Sequence, residues 1–346
     1  MEKASIGLII IRKGNLPVSS LSSTTKRSNS FYGLLMLIGI IAISFSSIFI
    51  KWSSAPVSVI GMYRLAMTCA ILSPFLIRHR AEIRRISFRQ WLLLTASGLA
   101  LGLHFLFWMG SLRYTSVASS TAIVALEPVL VMLGSYWAFR EKNHPLAVIG
   151  MLIAIGGAVL IGWGDFGLSS RNLYGDLLSF IGTVAVVIHV LLGSKLRETM
   201  STFVYSFFVF LLGAGVLMVY NLFLGYSFTG YASRDWGMFF LLAAVPTLFG
   251  HYLFNWLLKY LRASTVSMSI LGEPVGSTIL AYFLLDESVT ILQGSAGFLL
   301  LAGVWLFMKG NTIRVGELAA ESREATAASA AQASNNGTAN SELPVS

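Results

Sequence analysis

Three ionisable side chains and a set of histidines stand where the sequence offers them no water. Arg64 lies in the run GMYRLAM, Glu127 in ALEPVLV and Glu273 in LGEPVGS. A charged side chain at the centre of a membrane helix costs about 3 kcal/mol on insertion scales, so each needs a reason to be there. Each glutamate directly precedes a proline, Pro128 or Pro274, which removes a backbone donor and kinks the helix that carries it. The two carboxylates admit two readings. They bind a substrate amine or accept protons, or they satisfy a basic or backbone group at a helix kink. Arg64, with Tyr63 beside it, needs a carboxylate, and Glu127 is the candidate in the same half of the chain. It is either a permanent ion pair or an arginine that grips a substrate carboxylate and exchanges partners.

His104, Phe107, Trp108 and Ser111 fall at i, i+3, i+4 and i+7, along one face of a helix. His251, Asn255 and Lys259 are spaced by four and share another face, with Trp256 alongside. Such histidines either bridge helices by hydrogen bonding or line a cavity suited to an amphipathic or aromatic solute. His189, nearer a helix end, reads as structural. Taken together, Arg64, His104, Trp108, Glu127, His251, Asn255 and Glu273 form the candidate substrate-binding set. Cys69, the single cysteine, sits in an apolar run and reads as a small buried hydrophobe. No phosphate-binding glycine loop, zinc-protease motif, paired cysteines or nucleophile elbow is present, so no catalytic residue, metal or cofactor is expected and ATP hydrolysis is excluded.

The elements that must position these residues are long and apolar. Of 346 residues 55% are hydrophobic and 11% charged, with a mean hydropathy of +0.75. Soluble domains carry roughly 25% charged residues, so lipid must serve as solvent here. Ten runs each approach the roughly 20 residues that cross the hydrocarbon core: 32–50, 57–77, 91–112, 117–139, 146–163, 174–192, 203–224, 236–257, 265–285 and 291–308. Their continuity excludes a membrane barrel, whose strands alternate polar and apolar residues. The net charge of +9 does not imply nucleic acid, because the basic residues are spread over short loops rather than gathered in one patch. Placing both ends in the cytoplasm puts nineteen Lys and Arg inside and leaves only Lys51, Arg113, Arg171 and Arg234 outside. That split fixes the orientation expected at the cell (inner or plasma) membrane. The cluster from Arg78 to Arg89 reads as part of that orientation signal. Residues 1–30 and 310–346 read as cytoplasmic tails, the second disordered.

The chain also repeats itself. Tyr114 to Glu141 matches Tyr260 to Glu287 at a shift of 146 residues without a gap, aligning Glu127-Pro128 with Glu273-Pro274, Tyr136 with Tyr282 and Glu141 with Glu287. A weaker match links Tyr32-Gly33 to Tyr174-Gly175. Five spans per unit is an odd number, so the halves, 31–164 and 172–309, enter the membrane in opposite directions. Arg140 and Lys142 fall inside while their counterparts Asp286 and Ser288 fall outside. Inverted repeats of this kind mark secondary transporters, with the site near mid-membrane at the repeat interface. The expected fold is therefore an all-α membrane protein of ten transmembrane helices in two inverted five-helix repeats. Gly150, Gly156, Gly157, Gly294, Gly297 and Gly303 are expected to pack the fifth and tenth helices.

With Pro128, Pro274, Glu141 and Glu287 in these places, the chain resembles the EamA family of the drug/metabolite transporter superfamily over about residues 32–308. The resemblance implies ten helices with cytoplasmic ends, and transport of small metabolites, often efflux of amino acids or related compounds. It also implies a cavity lined chiefly by the third, fourth, eighth and ninth helices. The sequence departs from internal symmetry where Ser206 stands in the second half at the place of Arg64. One arginine against two glutamates, with neutral histidines, favours a zwitterionic or weakly cationic solute over a phosphorylated one. The expected partners are that solute, membrane lipid and a proton or solute gradient, with no nucleic acid, in a monomer or homodimer. Uptake or exchange of another metabolite is the alternative within the class. A membrane-embedded enzyme acting on a lipid-linked substrate is the alternative outside it, and it lacks a polar cluster at an interface. A sensor or scaffold would carry a folded domain that neither tail has room for.

Overall fold

The computed structural model describes residues 18–139, 144–162, 169–286, 291–292 and 294–310. Among these residues the secondary structure is helical throughout, with no strand. In chain order the helices are α1 (Val18–Trp52), α2 (Val57–Leu72), α3 (Leu76–Ile83), α4 (Phe88–Ser111), α5 (Val117–Val124), α6 (Glu127–Phe139) and α7 (Pro145–Gly162). They continue as α8 (Ser170–Leu196), α9 (Thr202–Phe223), α10 (Ser233–Leu242), α11 (Leu253–Leu257), α12 (Ala263–Ile270), α13 (Glu273–Leu285) and α14 (Gly294–Gly310). Among the described residues eight stretches are long and apolar enough to cross a membrane: Phe31–Trp52, Val57–Ile83, Phe88–Ser111, Ser119–Ala138, Ser170–Leu196, Thr202–Phe223, Ser233–Leu257 and Ala263–Leu285. Two shorter apolar helices, Pro145–Leu160 and Gly294–Gly310, stand where the fifth and tenth runs were expected. The first helix begins at Val18, inside the stretch read as a tail. Glu141, Glu287, Arg140 and Lys142, and the tail 311–346, lie outside the described residues.

Serine starts the helices that follow tight loops. Ser87 and Gln90 form a reciprocal capping box at α4, while Ser116, Ser169 and Ser201 accept the backbone N–H of Ser119, Asn172 and Val204. Each cap satisfies donors that a helix start otherwise leaves bare in an apolar setting.

Four of these stretches are interrupted at a proline: Val57–Ile83 tightens to a 3-10 turn at Ser73–Phe75 around Pro74, and three further breaks frame the site. α5 stops at Val124, residues 125 and 126 turn, and α6 restarts at Glu127; α12 and α13 repeat this at 271 and 272. Pro128 and Pro274 have no N–H for the carbonyls of Val124 and Ile270, so the ladder ends there. Packing pairs the halves crosswise, α5 against α13 and α6 against α12. The third break lies between α10 and α11, where Ala243–Tyr252 winds as a π-helix with Pro246 inside it. Pro246 cannot donate to Leu242, the π turn passes that carbonyl to the residue after it, and the Thr247 hydroxyl also donates to it, at 2.7 Å. The sequence reading missed this π segment, treating the eighth run as an unbroken α-helix.

Where α7 meets α14 the backbones touch. A methyl on Gly150 would overlap the Phe307 amide and the Gly303 carbonyl, one on Gly157 the Leu300 amide and the Ala296 carbonyl, and one on Gly303 the Ala154 amide and the Gly150 carbonyl. Position numbers rise on one helix as they fall on the other, so the two run antiparallel. Gly156 and Gly294 meet nothing and Gly297 meets only the Val275 side chain. Half of the expected packing glycines therefore bring the two backbones together; Gly297 is buried against a side chain, and Gly156 and Gly294 face open space. The outermost side chains are apolar, among them Trp137, Phe223 and Ile291. A multi-pass membrane protein presents such a surface to lipid.

Candidate functional site

A central cavity is bounded by Ile43 and Ser46 of α1, His104 and Trp108 of α4, Val124 and Glu127 at the first broken helix, and Ile270 and Glu273 at the second. Val186, His189 and Val190 of α8 and His251, Phe254 and Asn255 close it from the sides. Six of the seven residues singled out by sequence share this cavity. Helices α1 and α8 add walls that the expected set of four helices omits.

Each glutamate stands in the first turn of its half-helix, α6 or α13, where the helix dipole favours a negative charge. Their surroundings differ. The Ser267 hydroxyl, from α12, donates to Glu127 Oε1 across the halves. By the 146-residue shift Ser267 corresponds to Thr121, whose hydroxyl donates back to the Val117 carbonyl of its own helix at 2.8 Å. The Glu273 carboxylate has no hydrogen bond or ion pair among the described residues, and it is the less buried of the two, at 9% exposure against 2%. A smaller recess between the two breaks, lined by Thr121, Ser267 and both prolines, joins the carboxylates.

Arg64 is 0% exposed and lies behind the cavity wall rather than on it. The expected pair with Glu127 does not form. Nε donates to Thr247 Oγ1 at 2.7 Å, Nη1 donates to Ser46 Oγ at 2.9 Å, and the guanidinium carbon lies 4.2 Å from the Phe105 ring centroid. The carboxylate whose charge acts on it is Glu273. The correction has a physical reason: the π turn after Pro246 puts a hydroxyl acceptor within reach, and Glu127 is already held by Ser267. One buried donor, Nη2, is left without a partner, as is the indole Nε1 of Trp108.

The histidines are held differently. His104 Nδ1 lies 2.9 Å from the Gly182 carbonyl and its ring stacks on Trp108 at 5.8 Å. His251 meets the Phe105 ring edge-on at 5.3 Å. His189, which the sequence assigned to structure alone, lines the cavity and is the most connected: Nδ1 lies 3.0 Å from Ser97 Oγ, and Ser97 Oγ lies 2.9 Å from the Tyr205 hydroxyl. Asn255 donates to Ser206 Oγ at 3.2 Å, so the serine in the place of Arg64 also serves a polar partner. Lys259 is exposed and leaves the His251–Asn255 face, because α11 ends at Leu257. Ser111 turns away from the cavity, pairing with Ser120 at 2.6 Å.

Two buried charges escaped sequence reading because they lie at span ends. Arg197, counted there as a loop residue, is buried; its Nε donates to the Asn255 carbonyl at 2.9 Å and its other nitrogens to the Met200 carbonyl and Thr202 Oγ1. At the opposite end Asp235 accepts from Ser53 Oγ at 2.7 Å, the Ser54 N–H at 2.8 Å and Ser54 Oγ at 3.0 Å. Arg113 donates to the Ser53 and Ala55 carbonyls of the same loop, both at 3.1 Å. Burial pulls the Arg113 guanidinium below its ordinary value, and the Asp235 charge opposes that. The loop joining α1 to α2 is thus clamped from both halves.

The model of the EamA-like transporter family matches residues 30–163 and 173–309. An uncharacterized transporter of Archaeoglobus fulgidus is 22% identical over 80% of this chain and 97% of its own length. The uncharacterized transporter sll1164 of Synechocystis is 25% identical over 74% of this chain and 77% of its own. A crystal structure with 18% sequence identity shares the fold, with a TM-score of 0.66 over 80% of this chain and 97% of that one.

Proposed function

The chain belongs to the EamA-like transporter family, and we propose that it is a secondary transporter exporting a small zwitterionic or weakly cationic metabolite, such as an amino acid, across the cell membrane. The observation that carries this reading is the convergence of Glu127 and Glu273, at breaks in two crossed helices, on one cavity that also holds His104, Trp108, His251 and Asn255. Unwound backbone is tolerated at membrane depth where it lines a cavity, and half-helix ends are the usual ion and substrate contacts there.

The chemistry divides by charge. A substrate ammonium is met by Glu127, while Glu273, whose carboxylate has no hydrogen bond among the described residues, exchanges a proton. A substrate carboxylate is met by the open donors, Arg64 Nη2 and Trp108 Nε1. Arg64 sits one layer behind Ser46 and reaches the cavity by a side-chain movement. An apolar substituent packs against Val186, Val190 and Phe254. With no nucleotide-binding motif, an ion or solute gradient supplies the energy, and Glu273 is the candidate proton carrier.

Ten spans in two inverted halves, with both ends in the cytoplasm, complete the proposal; α7 and α14 act as the fifth and tenth. Support comes from their crossing. The contacts of Gly157 with Leu300 and Ala296 become, under the 146-residue shift, those of Gly303 with Ala154 and Gly150. A pseudo-two-fold axis in the membrane plane generates that exchange. The test is flux in proteoliposomes with a panel of amino acids and other metabolites, with and without a pH gradient. Saturable movement of a zwitterion that competes with no phosphorylated solute supports the reading; failure of all zwitterions and amines to move, in a protein that moves an anion, overturns it.

A further inference from the structure

The hairpin between α2 and α4 carries Arg78, Arg80, Arg84, Arg85 and Arg89. All five are exposed, and among the described residues none makes a side-chain hydrogen bond or ion pair. The one acid in the segment is committed elsewhere: Glu82 Oε1 accepts the Ser201 N–H at 2.6 Å and Oε2 lies 3.5 Å from His79 Nδ1. His79 in turn stacks on Phe203 at 4.4 Å. His79, Glu82, Ile83 and Ile86 are half-buried, so this side of α3 faces the protein and the arginines stand away from it. Beside them Phe75, Ile77 and Phe88 are exposed, the last two by 75% and 78%. Two apolar stretches meet at this hairpin, so five guanidinium groups without a partner among the described residues stand beside an apolar rim.

We propose that this hairpin is a docking site for anionic phospholipid headgroups. Guanidinium forks bind phosphodiester oxygens bidentately, a basic cluster beside a membrane helix is drawn to anionic lipid, and Ile77 and Phe88 meet the start of the acyl chains. A soluble anion satisfies the first requirement only. The site is independent of what the cavity carries.

The test counts lipids retained by the purified full-length protein in native mass spectrometry, with phosphatidylglycerol or phosphatidylcholine added at equal concentration. Wild type is expected to retain several-fold more phosphatidylglycerol, with the preference falling as salt rises. Changing all five arginines to glutamine should bring retention to the phosphatidylcholine level. Removing five positive charges also weakens the topology signal, so two further variants accompany it. Arg84→Gln/Arg85→Gln should lose part of the preference. Five Arg→Lys changes, which keep the charge and lose the fork, should keep a reduced one. Equal retention of the two lipids by wild type, or an undiminished preference in both glutamine variants, overturns the proposal. So does displacement of the lipid by equimolar glycerol phosphate, an acidic peptide or an RNA oligomer.

Discussion

Arg64 donates from Nε to the Thr247 hydroxyl, which in turn donates to the Leu242 carbonyl. The π turn that follows α10 thereby presents an acceptor to the buried cation of α2. Thr247→Val should cost about 1–3 kcal/mol, because it strands the buried Arg64 donor. Thermal unfolding in detergent should show Arg64→Ala costing less in the Thr247→Val background than in wild type. Glu127→Gln should give no rescue of Arg64→Ala; rescue would restore the direct pairing that the geometry removes.

The two glutamates should separate in function. Glu273→Gln is expected to abolish pH-gradient-driven flux while leaving exchange without a gradient largely intact, since its carboxylate is unshared. Glu127→Gln should impair both, because it also disturbs the Ser267 contact that ties α6 to α12. Flux at matched protein level decides, and wild-type pH dependence in Glu273→Gln would make that glutamate a structural residue.

The glycines of α7 and α14 make a graded prediction. Gly157→Ala and Gly303→Ala force the crossing helices apart, an overpacking penalty of about 1–3 kcal/mol or more. Gly156→Ala and Gly294→Ala, which meet open space, should unfold within experimental error of wild type. A common response from all four would mean that the close approach is wrong.

Asp235 holds the α1–α2 loop through three hydrogen bonds from Ser53 and Ser54, and we predict that this clamp bars the cavity at that end. In a Cys69→Ser background, Ser46→Cys should react several-fold faster with a membrane-impermeant thiol reagent once Asp235→Ala is added. Unchanged labelling would make the clamp a structural tie alone.

Much of this architecture was legible from periodicity and repetition. The apolar runs gave the helices, and the shift of 146 residues singled out the two Glu-Pro breaks before any geometry was known. What the sequence did not disclose is instructive. Lys and Arg counts treat span ends as loops, so they concealed Arg197, which folds back under Asn255. A hydrophobic run is blind to whether one residue is squeezed in, so the π turn at Pro246 went unseen, and with it the partner of Arg64. His189 looked structural because it lies nearer a helix end; its partners Ser97 and Tyr205 come from two other helices.

The contact between α7 and α14 has a bearing on how this chain can change over generations. The hydrogen atom at position 157 is the space that the backbone at 300 occupies, and the same holds for 303 and 154. Neither copy of the duplicated unit supplies its own room, so a larger side chain accepted in one copy must be compensated in the other. Substitutions in the two halves are thus coupled at this crossing, while near the cavity the halves differ, Arg64 having only Ser206 as its counterpart.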